Sequence, residues 1–250
     1  MVSAKDIVVK PIKASAANAL VKRVHYSGKV VNNSNLHFGA FLNGKLEGAM
    51  SFGSPMDKRK VLTLVEGTSW TGMLELNRMA FSDRLPRNSE SRCLAIAFKL
   101  IKKHYPHIDW VLSFSDGTQC GDGTIYRASG FVLTGIKANT QTWLAPDGEV
   151  YSRTSLTKGG NNHATGAASM KAYVEAGYKP MQGYQLRYIY FLNKDARQRL
   201  NVPILPFSKI DEMGAGMYKG KPKRDKQAMA DPLGTAAGQH RPSRSNSEEA

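Results

Sequence analysis

The run Trp110-Val111-Leu112-Ser113-Phe114-Ser115, closed by Asp116, constrains the fold more than any other stretch of the chain. It lacks the three-to-four spacing of a surface helix and the alternation of a half-exposed strand. It reads as a central strand covered on both faces. Such a strand needs neighbours on both edges and helices above and below, which points to a sheet flanked by helices. Shortly after it, Gly123-Thr124-Ile125-Tyr126-Arg127-Ala128-Ser129 reads as a short helix carrying a tyrosine and closed by Gly130-Phe131. Ligand sites gather at strand ends in open sheets, so Asp116 and Tyr126 are the first candidates for a site.

The flanking residues supply the rest of the sheet. Asp6–Ile12 reads as a first strand. Ala14–His25 reads as a helix with Ala17, Leu20, Val21 and Val24 on one face and Gly28 as its stop. Leu36–Leu42 and Leu46–Phe52 are strands around Asn43-Gly44, a strong two-residue hairpin signal. Met73–Phe81 is a further strand. Asn88 or Ser89 then caps a helix whose face is Leu94, Ala97, Phe98 and Ile101 and which stops before Pro106. Phe131–Lys137, Gln141–Leu144 and Gln185–Leu192 read as strands, and the prolines keep Val202–Phe207 extended. The order predicts an α+β fold with a central mixed, mostly antiparallel sheet flanked by helices.

Residues 152–183 are rich in Gly, Ser, Thr, Asn and Lys, with one helix expected from about Ala167 to Ala176. They read as an inserted loop and helix segment suited to binding. The expected organisation is one domain over residues 1–218, then a basic, disordered tail over 219–250.

The formal net charge of +15 over 250 residues favours polyanionic partners: DNA, RNA or phosphorylated cofactors. Lys158, Lys171, Lys179 and Arg187 are candidates for phosphate contacts. No window approaches the roughly 18 apolar residues of a membrane helix, and the N-terminus lacks a signal-peptide apolar region. No membrane partner is expected. With Cys93 and Cys120 as the only cysteines, no disulfide framework is available, and a reducing cytoplasm is the natural setting. The six histidines show no ligand spacing, so no metal site is expected.

A helix N-terminus presents free N–H groups and partial positive charge, which hold phosphate. Arg84, Arg87, Asn88, Ser89, Ser91 and Arg92 surround the one that follows Met73–Phe81 and are the candidate cofactor-binding set. An ordinary capped helix with solvated arginines has the same pattern. Asp116 can accept from an amino group or take its proton, or can close an Asx turn before Gly117. Tyr126 can donate a proton to a leaving group, and Tyr26, beside His25 at a helix end, can stack on a base.

Together these elements resemble the GNAT acyltransferase superfamily, whose central sheet is splayed at its middle. Its acyl-CoA pyrophosphate sits on the helix after the fourth strand, and the helix after the fifth often carries a proton-donating tyrosine. Its pyrophosphate loops usually read Arg/Gln-x-x-Gly-x-Gly/Ala. Here Arg87-Asn88-Ser89-Glu90-Ser91-Arg92 has no glycine. A closer resemblance is to the Mom family of bacteriophage DNA-modification proteins, a divergent branch of that superfamily. It rests on His25-Tyr26-Ser27, Glu75-Leu76-Asn77-Arg78, Pro86 to Arg92, Ser113-Phe114-Ser115-Asp116, Gly123 to Tyr126, Arg187 to Leu192 and Pro203-Ile204-Leu205-Pro206, in that order.

The resemblance implies conversion of adenine in double-stranded DNA to N6-carbamoylmethyladenine, which protects phage DNA from restriction. It implies an active site at Tyr26, Arg78, Asp116 and Tyr126. It also implies a flipped adenine and an acyl donor, either acetyl-CoA or an activated glycine such as glycyl-tRNA. The competing expectations are an acetyl-CoA-dependent N-acetyltransferase acting on a protein or small amine, and a non-catalytic DNA-binding protein on the same scaffold.

Overall fold

The computed structural model describes residues 2–158, 170–218 and 221–222. A 3-10 turn, Ala4–Asp6, leads into strand β1 (Val8–Pro11) and helix α1 (Ala14–Val24). Strands β2 (Ser34–Leu42) and β3 (Lys45–Gly53) form a hairpin. Its turn residues, Asn43 and Gly44, have φ of 49° and 76°, the left-handed pair that matches the twist of a tight hairpin. A short helix α2 (Lys58–Leu62) precedes β4 (Met73–Phe81), α3 (Ser89–His104), β5 (Trp110–Asp116), α4 (Thr124–Ala128) and β6 (Val132–Ala138). Then come β7 (Thr142–Leu144), β8 (Val150–Ser152), α5 (Arg153–Lys158), α6 (Met170–Glu175) and β9 (Lys179–Pro180). The described chain closes with β10 (Tyr184–Phe191), α7 (Lys194–Gln198), α8 (Ser208–Glu212) and the two-residue strands β11 (Met217–Tyr218) and β12 (Lys221–Pro222).

The main sheet has the order β1-β2-β3-β4-β5-β10-β6. Every neighbouring pair is antiparallel except β4 and β5, which run parallel. The central-strand reading of β5 holds: Trp110 to Ser113 are buried, and the indole N–H of Trp110 donates to Thr68 Oγ1 at 3.0 Å. Alternate residues of β3 show the two layers. Ala49 packs with Ala17 and Leu20 of α1, while Met50 and Phe52 pack with Leu94, Ala97, Phe98 and Ile101 of α3. Those are the apolar faces that helical spacing predicts. The result is the α+β arrangement expected, a GNAT-like mixed sheet with a helix after its fourth strand and another after its fifth.

The Gln141–Leu144 stretch is a strand but does not join the main sheet. As β7 it pairs with β8 and β9 in a separate three-stranded sheet. This sheet has its own core of Ala145, Leu156, Tyr173 and Tyr178. The segment that packs as a unit thus includes residues N-terminal to 152. The helix expected over Ala167–Ala176 occurs as Met170–Glu175, and residues 159–169 lie outside the described residues. So does the expected tail from 219 onward, apart from the Lys221–Pro222 strand. Among the described residues no helix is long and apolar enough to cross a membrane.

Candidate active site

The parallel seam between β4 and β5 is short. It pairs Met73 with Trp110, Leu74 with Val111 and Glu75 with Leu112, and then the strands part. Beyond that point Leu76 to Phe81 pair with β3, and Ser113 to Asp116 pair with β10. The β3–β4 register also shifts between Ser51 and Phe52, which leaves Asn77 as the extra residue of a bulge. The bulge breaks the alternation, so Leu76 and Asn77 are both buried. Asn77 Oδ1 accepts from Ser34 Oγ at 2.9 Å, which pins the bulge.

The gap opens into a cavity of about 320 Å³. Tyr26, Arg78, Asp116 and Tyr126 all line it, as do His25, Cys120 and Asp122. Four residues far apart in sequence therefore meet in one space. Tyr26 is 53% exposed, so it stands at the mouth. Burial, then the charge of Asp116, pushes its phenol above the usual range. Arg78 is held by its backbone surroundings: Nε donates to Lys29 O at 2.9 Å and Nη1 to Asn77 O at 2.7 Å. Asp116 is fixed by Thr118 N–H and Asn139 Nδ2, which donate to Oδ1 at 2.9 and 3.0 Å, and by Gln119 Nε2, which donates to Oδ2 at 3.2 Å. It is thus an Asx-turn residue and a cavity-lining carboxylate together. Burial pushes Tyr126 up to about 12, against a hydrogen bond from Ser113 that lowers it.

Helix α4 sets the position of Tyr126. Asp122, buried at its head, accepts from Thr124 Oγ1 and Arg127 Nη2, each at 3.1 Å. The backbone carbonyl of Asp122 accepts from the hydroxyl of Tyr188 on β10. Gly123 has a φ of 84°, and a Cβ there would fall 2.4 Å from the Tyr188 ring. Neither Asp122 nor Asn139 is singled out by sequence reasoning. Their partners lie on other elements, and no local spacing announces them. His25 stands out in the sequence as half of a His-Tyr pair, but no local spacing gives its contacts.

A second cleft of about 390 Å³ lies between the start of α3 and α4. Thr124 and Ile125 line both cavities, so the two are neighbours. This is where the superfamily resemblance places the pyrophosphate of acetyl-CoA. The residues present do not fit that group. Arg84 is turned to Glu47 at 3.3 Å, where Ser82 also donates at 2.7 Å and, as the largest cause, holds the Glu47 carboxyl below its usual range. Arg92 donates to Lys5 O at 3.3 Å. Ser89 is buried and donates to Pro86 O, and Ser91 donates to Asn88 O at 3.2 Å. Asn88 sits in the left-handed region at φ 68° and makes no side-chain cap bond. Of the six expected residues, Arg87, Asn88 and Ser91 line the cleft, beside the carboxylates Asp83 and Glu90. A lining with one guanidinium and two carboxylates is a poor cradle for a diphosphate.

The expected phosphate contacts divide in the same way. Lys179 is exposed on β9, and Lys171 is exposed on α6 with Glu175 at 3.9 Å. Lys158 ends α5, and its side chain lies outside the described residues. Arg187 is half-buried. Its Nε and Nη2 donate to Thr134 Oγ1 and O at 3.0 and 2.7 Å, and burial lowers its pKa. The small sheet is also tied to the cavity walls. Asn139 Nδ2 donates to Thr142 Oγ1 at 3.0 Å as well as to Asp116, and Lys29 Nζ donates to Val150 O at 3.4 Å. Among the described residues no three His, Cys, Asp or Glu side chains gather as a metal cluster.

The chain is 36% identical over 204 residues to the methylcarbamoylase Mom of Escherichia phage Mu, covering 80% of this chain and 81% of that one. Among solved structures it is similar to FeeM, an N-acyl amino acid synthase from uncultured soil microbes. The TM-score is 0.45 at 16% identity, covering 78% of this chain and 95% of that one. It is also similar to an IAA acetyltransferase from Bacillus cereus ATCC 14579, with a TM-score of 0.42 at 12% identity, covering 74% and 99%. The profile of the Mom protein family matches residues 6–209, and the chain belongs to that family.

Proposed function

We propose that the protein converts adenine in double-stranded DNA to N6-carbamoylmethyladenine, in the host cytoplasm when phage-encoded. The observation that carries this reading is the cavity at the strand splay, which gathers Tyr26, Arg78, Asp116 and Tyr126 in a member of the Mom family. Adenine N6 is stacked and paired in a duplex, so the base must be extruded at a cost of a few kcal/mol. Tyr26 at the mouth stacks on the flipped base. Asp116 accepts from N6–H and takes its proton. The donors of Arg78 not used on backbone carbonyls bind the donor carbonyl and stabilise the oxyanion. Tyr126 protonates the leaving group. Exposed Lys171 and Lys179 meet backbone phosphates, which makes binding strongly salt-dependent.

The donor we favour is an activated glycine, an ester such as glycyl-tRNA. N6 attacks the glycyl carbonyl and the ester oxygen leaves with a proton, giving an N6-glycyl amide. The glycyl amine then attacks C6 through a five-membered ring, and the C6–N6 bond breaks. The former N6 becomes the terminal amide, and the product is N6-carbamoylmethyladenine with no oxidant or reductant required. One observation supports an ester over acetyl-CoA: the cleft beside α3, with one guanidinium and two carboxylates in its lining, is a poor diphosphate site.

The test is nucleoside analysis of DNA from cells expressing wild type or Asp116→Asn. A modified deoxyadenosine present in the first and lost in the second is expected. Unmodified adenine with the folded wild-type protein present removes the reading, and N6-acetyladenine replaces it with ordinary acetyl transfer.

A further inference from the structure

His25 lines the same cavity and has no part in the roles above. Its ring is locked by its own turn. The backbone N–H of Ser27 donates to Nδ1 at 3.1 Å, so Nδ1 carries no proton. Ser27 Oγ sits 2.9 Å from the same nitrogen and itself accepts from Lys29 N at 3.3 Å, which leaves its hydroxyl proton for Nδ1. With Nδ1 committed as an acceptor, the neutral ring carries its proton on Nε2. No described residue bonds to Nε2, and it is not among the buried unpartnered atoms, so it remains accessible. The ring packs against Tyr26 with centroids 4.3 Å apart and planes tilted by 31°. Burial, then the charge of Arg78, lowers its pKa to about 4, so the neutral tautomer persists through the physiological range.

A fixed N–H donor and a carboxylate in one cavity form a donor–acceptor pair. Adenine presents the complement on either edge: the N6 amine as donor, with N1 or N7 beside it as acceptor. Guanine places the O6 acceptor where adenine has its amine, against the Asp116 carboxylate. We propose that His25 reads the target base, donating Nε2–H to the ring nitrogen next to the amine while Asp116 accepts from the amine. The inference rests on the adenine reading above.

The test uses purified full-length protein and duplexes whose target position, opposite an abasic site so that no pair has to be broken, holds adenine, 1-deazaadenine, 7-deazaadenine or guanine. Wild type should bind adenine more tightly than guanine. It should lose roughly tenfold on exactly one deaza duplex, the net worth of one hydrogen bond, which also identifies the edge read. His25→Phe keeps the ring against Tyr26 but removes the donor, and it should bind adenine and that deaza base equally. His25→Gln retains an N–H and should restore part of the preference. The imidazole 15N spectrum of wild type should show Nε2–H. No preference for adenine over guanine defeats the adenine reading and this inference together. A preference for adenine that neither deaza base reduces, that His25→Phe retains, or that accompanies an Nδ1–H tautomer defeats this inference alone. If His25→Phe does not fold, the deaza series and the spectrum on wild type decide.

Discussion

Gly123→Ala places one methyl group where two constraints meet. The residue sits at φ 84°, in the left-handed region, and the new Cβ would lie 2.4, 2.7 and 2.8 Å from Cε2, Cζ and the hydroxyl oxygen of Tyr188. The left-handed conformation costs an alanine about 1–2 kcal/mol. Overpacking a buried ring adds about 1–3 kcal/mol. The smaller entropy of the unfolded chain offsets about 0.4–1 kcal/mol. A net loss of roughly 2–4 kcal/mol is expected, a fall in Tm of about 5–15 °C for a domain of this size. Relief by moving Tyr188 breaks its hydrogen bond to Asp122 O and frees the start of α4, so Tyr126 shifts as well. Urea unfolding and the yield of modified adenine at a temperature where the variant is folded are the two readouts. A variant within about 0.5 kcal/mol of wild type, the range of an ordinary surface change, refutes the account of the helix head.

Three further outcomes follow from the same geometry. Asn139→Ala removes the amide that joins Asp116 to Thr118 and Thr142, and it should cost about 1–2 kcal/mol in stability and lower adenine modification by roughly tenfold or more. Unchanged modification means that Asp116 does not depend on this tie. Acetyl-CoA at millimolar concentration should leave the thermal midpoint unmoved, because the cleft lining carries two carboxylates, Asp83 and Glu90, and one guanidinium, Arg87; a saturable rise contradicts this reading of the cleft. His25 has a folded-state pKa of about 4 against an ordinary 6.5, so the unfolded chain takes up the proton first as pH falls. Its contribution is whole above pH 6.5 and is lost between there and about 4. The urea midpoint of wild type should fall more steeply over that window than that of His25→Phe, and equal slopes refute the assignment.

Much of the frame was legible because it is written in local patterns. The four apolar positions of α3 share one face at helical spacing, Asn43-Gly44 demands a tight hairpin, and β5 is apolar on both faces. The five-residue helices α2, α7 and α8 were not legible, since a turn and a half cannot establish a period. Pairing choices were hidden too. Gln141–Leu144 has the composition of a strand, but nothing in it says that its partners are β8 and β9. The site divides along the same line. Tyr26, Arg78, Asp116 and Tyr126 come from motif segments and meet at one cavity. Arg84, Arg92 and Arg187 were read from proximity in sequence or from charge alone. Their partners, Glu47, Lys5 O and Thr134, are long-range, and no local spacing announces them. Asp122 and Asn139 went unnoticed for the same reason.

The central claim is that the splayed-strand cavity moves a glycine-derived group onto adenine N6. The most direct measurement is mass spectrometry of nucleosides from DNA of cells that express the protein and are fed glycine labelled in both carbons and in nitrogen. The account predicts one new deoxyadenosine, N6-carbamoylmethylated, whose two side-chain carbons and N6 carry the label on fragmentation, over and above the ring label found in unmodified deoxyadenosine. The same nucleoside without label in that side chain contradicts the glycyl route, and DNA with no new deoxyadenosine contradicts the assignment of the cavity itself.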